Sequence, residues 1–213
     1  MKKLITMLLL SAVAANPAYA DKDRTYRVTI INASVSHILT PAFIASHNDN
    51  YRLFQLGTEA SHSLAVQAET GDPSLVANDA SASGNTSSIT TGGLIPPASS
   101  ESFIITANNN EKLTYSAMLA GSNDAFVALN GVALPKKMAT YSAYVYDAGS
   151  EQNNEDCNFI PGPPCNNGSN NRTATNEGFV TIHNGVHGIA DLVPADSDWR
   201  GPVAIVKIER IKE

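Results

Sequence analysis

Asp124 stands just before the apolar run Phe126-Val127-Ala128-Leu129, and Asp147 stands just after Tyr144-Val145-Tyr146. Only 16% of the chain is charged, so a carboxylate at the end of each of two strand-like runs asks for a reason. Two readings are open. Carboxylates brought together repel one another unless a cation lies between them, which would make a metal site. Alternatively, each aspartate serves its own turn, where a short acceptor side chain satisfies nearby backbone N–H groups.

A second candidate for metal chemistry is His183-Asn184-Gly185-Val186-His187-Gly188. Two histidines four apart on a helix share a face and can ligate zinc. Asn-Gly, however, predicts a two-residue hairpin turn. Such a hairpin pairs His183 with Val186 and Ile182 with His187, which sends the two imidazoles to opposite faces of the ribbon. His37, His47 and His62 are scattered. The chain has no Gly-x-Ser-x-Gly elbow, no phosphate-cradling glycine loop after a strand, and no His-Glu-x-x-His.

The two cysteines, Cys157 and Cys165, enclose Asn-Phe-Ile-Pro-Gly-Pro-Pro. In an exported chain this pair predicts a disulfide that pins a surface loop. Zinc pairs more often lie two to four residues apart.

Export is predicted by the first twenty residues. Met1-Lys2-Lys3 is a short basic start, Leu4 to Ala15 is an apolar run too short to span a bilayer, and Ala18-Tyr19-Ala20 offers small residues for cleavage. This is the pattern of a secretory signal peptide over residues 1–20. It leaves one domain over 21–213, large enough for its own core, and a periplasmic or secreted location. Removing Lys2 and Lys3 takes the formal net charge from −6 to −8. With no Lys/Arg-rich cluster, nucleic acid and anionic membrane surfaces are poor partners, whereas divalent cations suit the charge. No later stretch is long enough to span a membrane.

The elements that must position these residues are mostly strands. Residues 24–31 alternate, with Tyr26, Val28 and Ile30 on one face. Strand-like runs follow at 102–107 and 112–119, separated by a hairpin-like Asn108-Asn109-Asn110-Glu111, and then at 139–146, 178–183 and 202–211. A phase slip near Val206 suggests a bulge. One short helix is expected over 58–69, with Thr58 as its N-cap and Ala60, Leu64 and Ala68 on one face. Residues 70–101 read as a long polar loop with room for short edge strands, and 150–177 as a second polar loop. Strands without intervening long helices predict an all-β, antiparallel β-sandwich.

In order along the chain, "YRVTIIN", "TPAFIASH", "LFQLGTEASHSLAVQAETGD", "AMLAGSNDAFVALNGVALP", "YDAGSEQNNED", "CNFIPGPPC", "EGFVTIHNGVHGIADL" and "DWRGPVAIVKIER" resemble the spondin N-terminal domain. That module is found in F-spondin, in mindin and in exported bacterial proteins. The resemblance implies an antiparallel β-sandwich with a calcium ion held by loop carboxylates at one end. Asp124 in Ser-Asn-Asp-Ala-Phe falls on the family's Ser-Pro-Asp-Trp pattern, with Asn123 for Pro and Ala125 for Trp. Asp147 falls on the Asp-Ala-Gly pattern. A further acidic ligand of the animal members has no match near Ile105. Glu151 and Glu155 are the nearest substitutes, and Glu101 a more distant one.

The sequence therefore leads to a secreted, calcium-binding β-sandwich with metal ligands among Asp124, Asp147, Glu151 and Glu155. It is expected to act non-enzymatically in binding or adhesion to a protein or glycan outside the cytoplasm. The alternative expectation is a metal-dependent hydrolase that uses His183 or His187 beside the acidic loops.

Overall fold

The computed structural model describes residues 23–165 and 171–211; the expected signal peptide lies outside them. Among these residues, nine antiparallel strands form one sheet that folds over on itself until it is nearly closed. In chain order these are β1 (Arg24–Asn32), β2 (Phe43–His47), β3 (Thr86–Thr91), β4 (Ser100–Ala107), β5 (Lys112–Met118), β6 (Ala125–Ala133), β7 (Met138–Asp147), β8 (Thr181–Ile182) and β9 (Ala204–Ile211). In space the order runs β3-β2-β5-β6-β7-β9-β1-β4, with β8 paired to β7. The fold is the expected antiparallel β-sandwich.

Strand β7 joins the two halves. Its first residues, Met138–Ala143, pair with β9, and its last, Tyr144–Asp147, pair with β6. The main core lies between the halves and includes Tyr26, Val28 and Ile30 of β1, Tyr115 of β5, Val127 of β6 and Val206 and Ile208 of β9. The alternation of β1 places these side chains inward and leaves Arg27 exposed.

A second apolar layer covers the outer face of β2, β5 and β6. Helices α1 (His62–Thr70) and α2 (Ser74–Ala82) lay Leu64, Ala68, Val76 and Ala80 on Phe43, Ala45, Phe126 and Ala128. Strands β2 and Ala125–Leu129 of β6 are consequently buried on both faces. That is why these runs show no polar alternation in sequence.

Several local expectations need correction. Helix α1 starts four residues later than expected: Ser61, not Thr58, is the N-cap, and its hydroxyl accepts from Leu64 N at 3.2 Å. The helix ends at Gly71, whose φ of 77° gives the left-handed C-cap. The segment 70–101 holds the unexpected α2 as well as β3, a short edge strand of the kind that segment left room for, and Pro194–Ser197 forms a four-residue α3, so the described residues hold three helices instead of one. Their apolar stripes are short and rich in alanine, a weak signal in sequence.

Asn108–Glu111 reverses the chain without making a hairpin, because β4 pairs with β1 while β5 pairs with β2 and β6. The turn arches from one half of the sandwich to the other. Strand β9 runs against β1 from Thr25–Ile211 to Asn32–Ala204 with no shift of register. Val203, Ala204, Val206 and Ile208 are the buried set, and Ile205 faces outward, so the expected bulge near Val206 is absent. The bulges in the described strands lie at Ser46/His47 and at Leu113/Tyr115.

Candidate metal centre

Antiparallel pairing of β6 with β7 brings the two aspartates together. Ala125 is the register partner of Asp147, so the start of β6 and the end of β7 meet at one end of the sheet. The Asp124 carbonyl accepts from Ala148 N at 3.2 Å, which extends the ladder by one bond past the strands.

Each carboxylate is fixed by the loop that follows β7. Asp124 is fully buried. Its Oδ2 accepts from Ser150 N at 2.8 Å, Ser150 Oγ at 3.1 Å and Glu151 N at 3.0 Å. Its Oδ1 is buried and has no hydrogen-bond partner among the described residues. Asp147 Oδ1 accepts from Gly149 N at 2.6 Å, and its Oδ2 accepts from Asn153 Nδ2 at 2.5 Å. Gly149 takes φ 66° in this turn, and a Cβ there would collide with the Phe179 carbonyl, so the Asp-Ala-Gly turn needs a glycine.

Electrostatics in this corner favour a cation. Burial pushes the Asp124 carboxyl up to about 6, against the bonds from Glu151 and Ser150, and Glu177 adds to the rise. Burial also raises Asp147, and next the Asp124 charge does so, with Glu177 a further contributor. Glu177 reaches the corner from the far side of the polar loop. Its Oε1 accepts from Asn153 N at 3.2 Å and its Oε2 from Asn153 Nδ2 at 3.0 Å. A buried carboxylate oxygen with no donor and acidic neighbours that penalise its charge form a site that a hard cation would relieve.

The two glutamates named as candidate ligands are engaged elsewhere. Glu151 is buried against a different pair of groups: its Oε1 accepts from Thr173 N at 3.3 Å and lies 4.0 Å from Arg172 Nε. Burial first, and the neighbouring Glu69 second, push its carboxyl up to about 7. Glu69 itself pairs with Arg172 at 2.6 Å, beside a pocket of about 200 Å³ that Glu69, Glu151, Phe159 and Arg172 line. Glu155 has φ 56°, and its carboxylate accepts from His187 N at 2.5 Å, Gly188 N at 2.7 Å and Ile189 N at 2.9 Å. It holds the 187–189 loop. Glu101 lies on β4 and accepts from Gly93 N at 3.1 Å.

The histidine segment departs from the expected hairpin. Only Thr181–Ile182 are strand, and no returning strand follows Gly185. His183 Nδ1 accepts from Gly185 N at 3.0 Å, so the hydrogen sits on Nε2, which donates to Asn153 Oδ1 at 3.1 Å. Burial, and then His187, lower its pKa to about 4, and its ring lies 4.9 Å from that of Trp199. His187 sits 3.6 Å from Glu155. Both ring nitrogens of His183 are thus occupied by the protein. Among the described residues, no three His, Cys, Asp or Glu side chains are grouped so as to hold a metal by themselves.

Asn153 and Glu177 are the residues that sequence reading missed. Both lie in the 150–177 segment, where no periodicity marks which side chains turn inward. The disulfide is present: Cys157 and Cys165 are bonded, with Cα atoms 5.0 Å apart. Beside it, Ile160, Val186 and Leu192 form a small third core against which Trp199 packs.

Fold and site together define an antiparallel β-sandwich with buried carboxylates at one sheet end. Residues 33–155, more than half of the chain, match the Spondin_N family, and the chain belongs to it. No curated protein matches the chain. Among the described residues, no helix is long and apolar enough to cross a membrane.

Proposed function

We propose that this protein is an exported, calcium-binding module that binds or adheres to a protein or glycan outside the cytoplasm and carries out no catalysis itself. Family membership supports an extracellular module. The observation that carries the calcium reading is the fully buried Asp124, whose Oδ1 has no donor, set beside an Asp147 whose ionisation Asp124 opposes.

In this reading Asp124 and Asp147 are the primary ligands, and Glu177 is the nearest further carboxylate. Glu151 and Glu155 contribute by placing the loop, through Thr173 and through the 187–189 amides. Calcium takes six to eight oxygens, so backbone carbonyls and water complete the set. The bound ion would supply a fixed positive charge that locks the β6 and β7 loops in one arrangement. The hydrolase alternative gains no support, because a catalytic zinc site needs three protein ligands and an open position, and His183 is committed to Asn153 and Gly185.

The test is isothermal titration of the mature chain with calcium, zinc and magnesium. Saturable calcium binding that Asp124→Asn abolishes supports the reading. Absence of heat with any of the three ions, together with an unfolding midpoint that ignores chelator, overturns it.

A further inference from the structure

Three Asn-Gly steps occur in the chain, at 130–131, 167–168 and 184–185; the second lies outside the described residues. An asparagine followed by glycine can close on itself. The glycine nitrogen attacks the side-chain Cγ, and the two atoms are already joined through Cβ, Cα and the backbone carbonyl carbon, so a small unstrained ring results. Glycine has no Cβ to obstruct the approach. The fold must then leave the amide side chain free to turn and supply a base for the hydrogen on the attacking nitrogen.

Asn130 has neither. It lies on β6, its Nδ2 donates to the Phe54 carbonyl at 2.7 Å, and its Oδ1 accepts from Leu53 N at 3.2 Å. Gly131 N donates to the Thr114 hydroxyl at 2.9 Å, which is an acceptor but not a base.

Asn184 has both. Residues 183–188 belong to no helix or strand, Asn184 is exposed, and its side chain makes no hydrogen bond with the described residues. Gly185 is buried with φ 88°, and a Cβ there would collide with Asp198 Oδ1. Its N–H donates to His183 Nδ1 at 3.0 Å. The amides that follow all donate to carboxylates: Val186 N to Asp198 at 3.0 Å, and His187, Gly188 and Ile189 N to Glu155. Gly185 alone among them meets an imidazole lone pair. The ring is fixed in that tautomer by its Nε2, which donates to Asn153 Oδ1 at 3.1 Å, and it packs on Trp199. Burial, the largest influence on His183, lowers its pKa to about 4, so the lone pair is present throughout the neutral range.

We propose that Asn184 is a site of self-modification, where His183 serves as the base that converts the Asn184-Gly185 link into a succinimide and then into aspartyl and isoaspartyl forms. His183 Nδ1 takes the hydrogen from Gly185 N as the bond from that nitrogen to Asn184 Cγ forms. It returns the hydrogen to Asn184 Nδ2 as the Cγ–Nδ2 bond breaks, and ammonia leaves. Water then opens the ring at either carbonyl. One opening restores the original backbone with a side-chain carboxylate. The other routes the backbone through the former side chain, one methylene longer. No oxidant or reductant takes part. Both products add a negative charge to a loop that already holds Asp198 and Glu155, and the isoaspartyl link draws Gly185 N away from His183. Water consumes the ring and ammonia is lost, so the modified fraction grows with the time since folding.

The test is incubation of the intact protein at neutral pH, followed by peptide mapping that separates asparaginyl, aspartyl and isoaspartyl forms at each Asn-Gly step. Position 184 should convert at least about tenfold faster than position 130. His183→Gln keeps a hydrogen-bonding side chain but removes the base, and should slow position 184 by about tenfold or more while position 130 keeps its wild-type rate. A variant that fails to fold reveals itself in the same map, because position 130 then speeds up. In that event the wild type decides alone. Position 184 should convert at least as fast in the folded protein as in urea, where no base is held against Gly185, whereas position 130 should be slower when folded. The proposal is overturned by a position 184 that converts no faster than position 130, that ignores His183→Gln in a folded variant, or that reacts more slowly folded than unfolded.

Discussion

Asp124 and Asp147 meet across the β6–β7 ladder, with Ala125 in register with Asp147 and the Asp124 carbonyl bonded to Ala148 N at 3.2 Å. Two loops that share one ion should not respond independently to mutation. Asp124→Asn and Asp147→Asn should each remove most of the calcium-induced stabilisation, and the double variant should lose little more. A ligand that binds only the folded state adds about 2.7 kcal/mol at a hundredfold excess over Kd, which sets the size of the wild-type response. Thermal unfolding of all four proteins with chelator and with calcium is the measurement. Simple additivity would mean that the two aspartates do not share an ion.

The same pair fixes a pH dependence. Both folded-state pKa values lie above the usual aspartate range, Asp124 at about 6. A carboxyl whose pKa is raised by folding contributes stability that is fully present below its unfolded pKa and is lost as pH rises through its folded pKa. In chelator, the protein should therefore gain from Asp124 and Asp147 as pH falls from neutral toward about 4. Calcium should flatten that gain at neutral pH by favouring the charged forms. Unfolding midpoints across this range, with and without calcium, check both signs, and Asp124→Asn should reduce the slope in chelator.

Glu155 and the aspartates should behave differently. Glu155→Ala removes the acceptor from three backbone N–H groups at residues 187–189. Bonds to a charged acceptor contribute about 1.5–3 kcal/mol each at most, and they are not additive. The variant should lose on the order of 2 kcal/mol of stability while keeping its calcium-dependent shift. Hydrogen exchange should quicken at residues 187–189. A calcium response lost along with the stability would move Glu155 into the ligand set.

Asn153 links the acidic corner to the aromatic one. Its amide donates to Asp147 and Glu177, and its oxygen accepts from His183. Asn153→Ala leaves the His183 N–H without an acceptor, which costs about 1 kcal/mol for a part-buried donor, the low end of the range for an unsatisfied group. Trp199 packs on His183, so its emission should shift as well. Asn153→Asp keeps the acceptor for His183 but adds a charge next to Asp147 and Glu177. It should be less stable than wild type in chelator and recover in calcium.

Reduction of Cys157–Cys165 should have a modest effect. The bridge closes a loop with a sequence separation of 8, for which chain entropy gives about 2–3 kcal/mol, and the prolines inside already limit the unfolded loop. Thiol titration without reductant should find no free thiol. The reduced protein should remain folded, and a collapse of the whole β signal on reduction would assign the bridge a larger role.

Much of this molecule is written in local sequence. The alternation of Tyr26, Val28 and Ile30, the β-branched run of the last strand and the scarcity of long helical stripes are enough for an antiparallel β-sandwich. Burial of one strand face depends only on neighbours two residues apart. The Cys157–Cys165 bridge and the placing of Asp124 and Asp147 at strand ends are equally local. What the chain could not reveal by itself depends on partners distant in sequence. The turn at Asn108–Glu111 suits a hairpin, yet β4 goes to β1 because the sandwich must close over Tyr115 and Ile105. Helix α2 has little amphipathic signal, and it exists where the outer face of β2 and β6 needs cover. The contacts of Glu151, Glu155, Asn153 and Glu177 depend on distant partners in the same way. All four sit in polar segments with no period, and only the packing of residues 150–165 and 171–177 against α1 and the 183–199 segment fixes which acid meets an amide and which meets another acid.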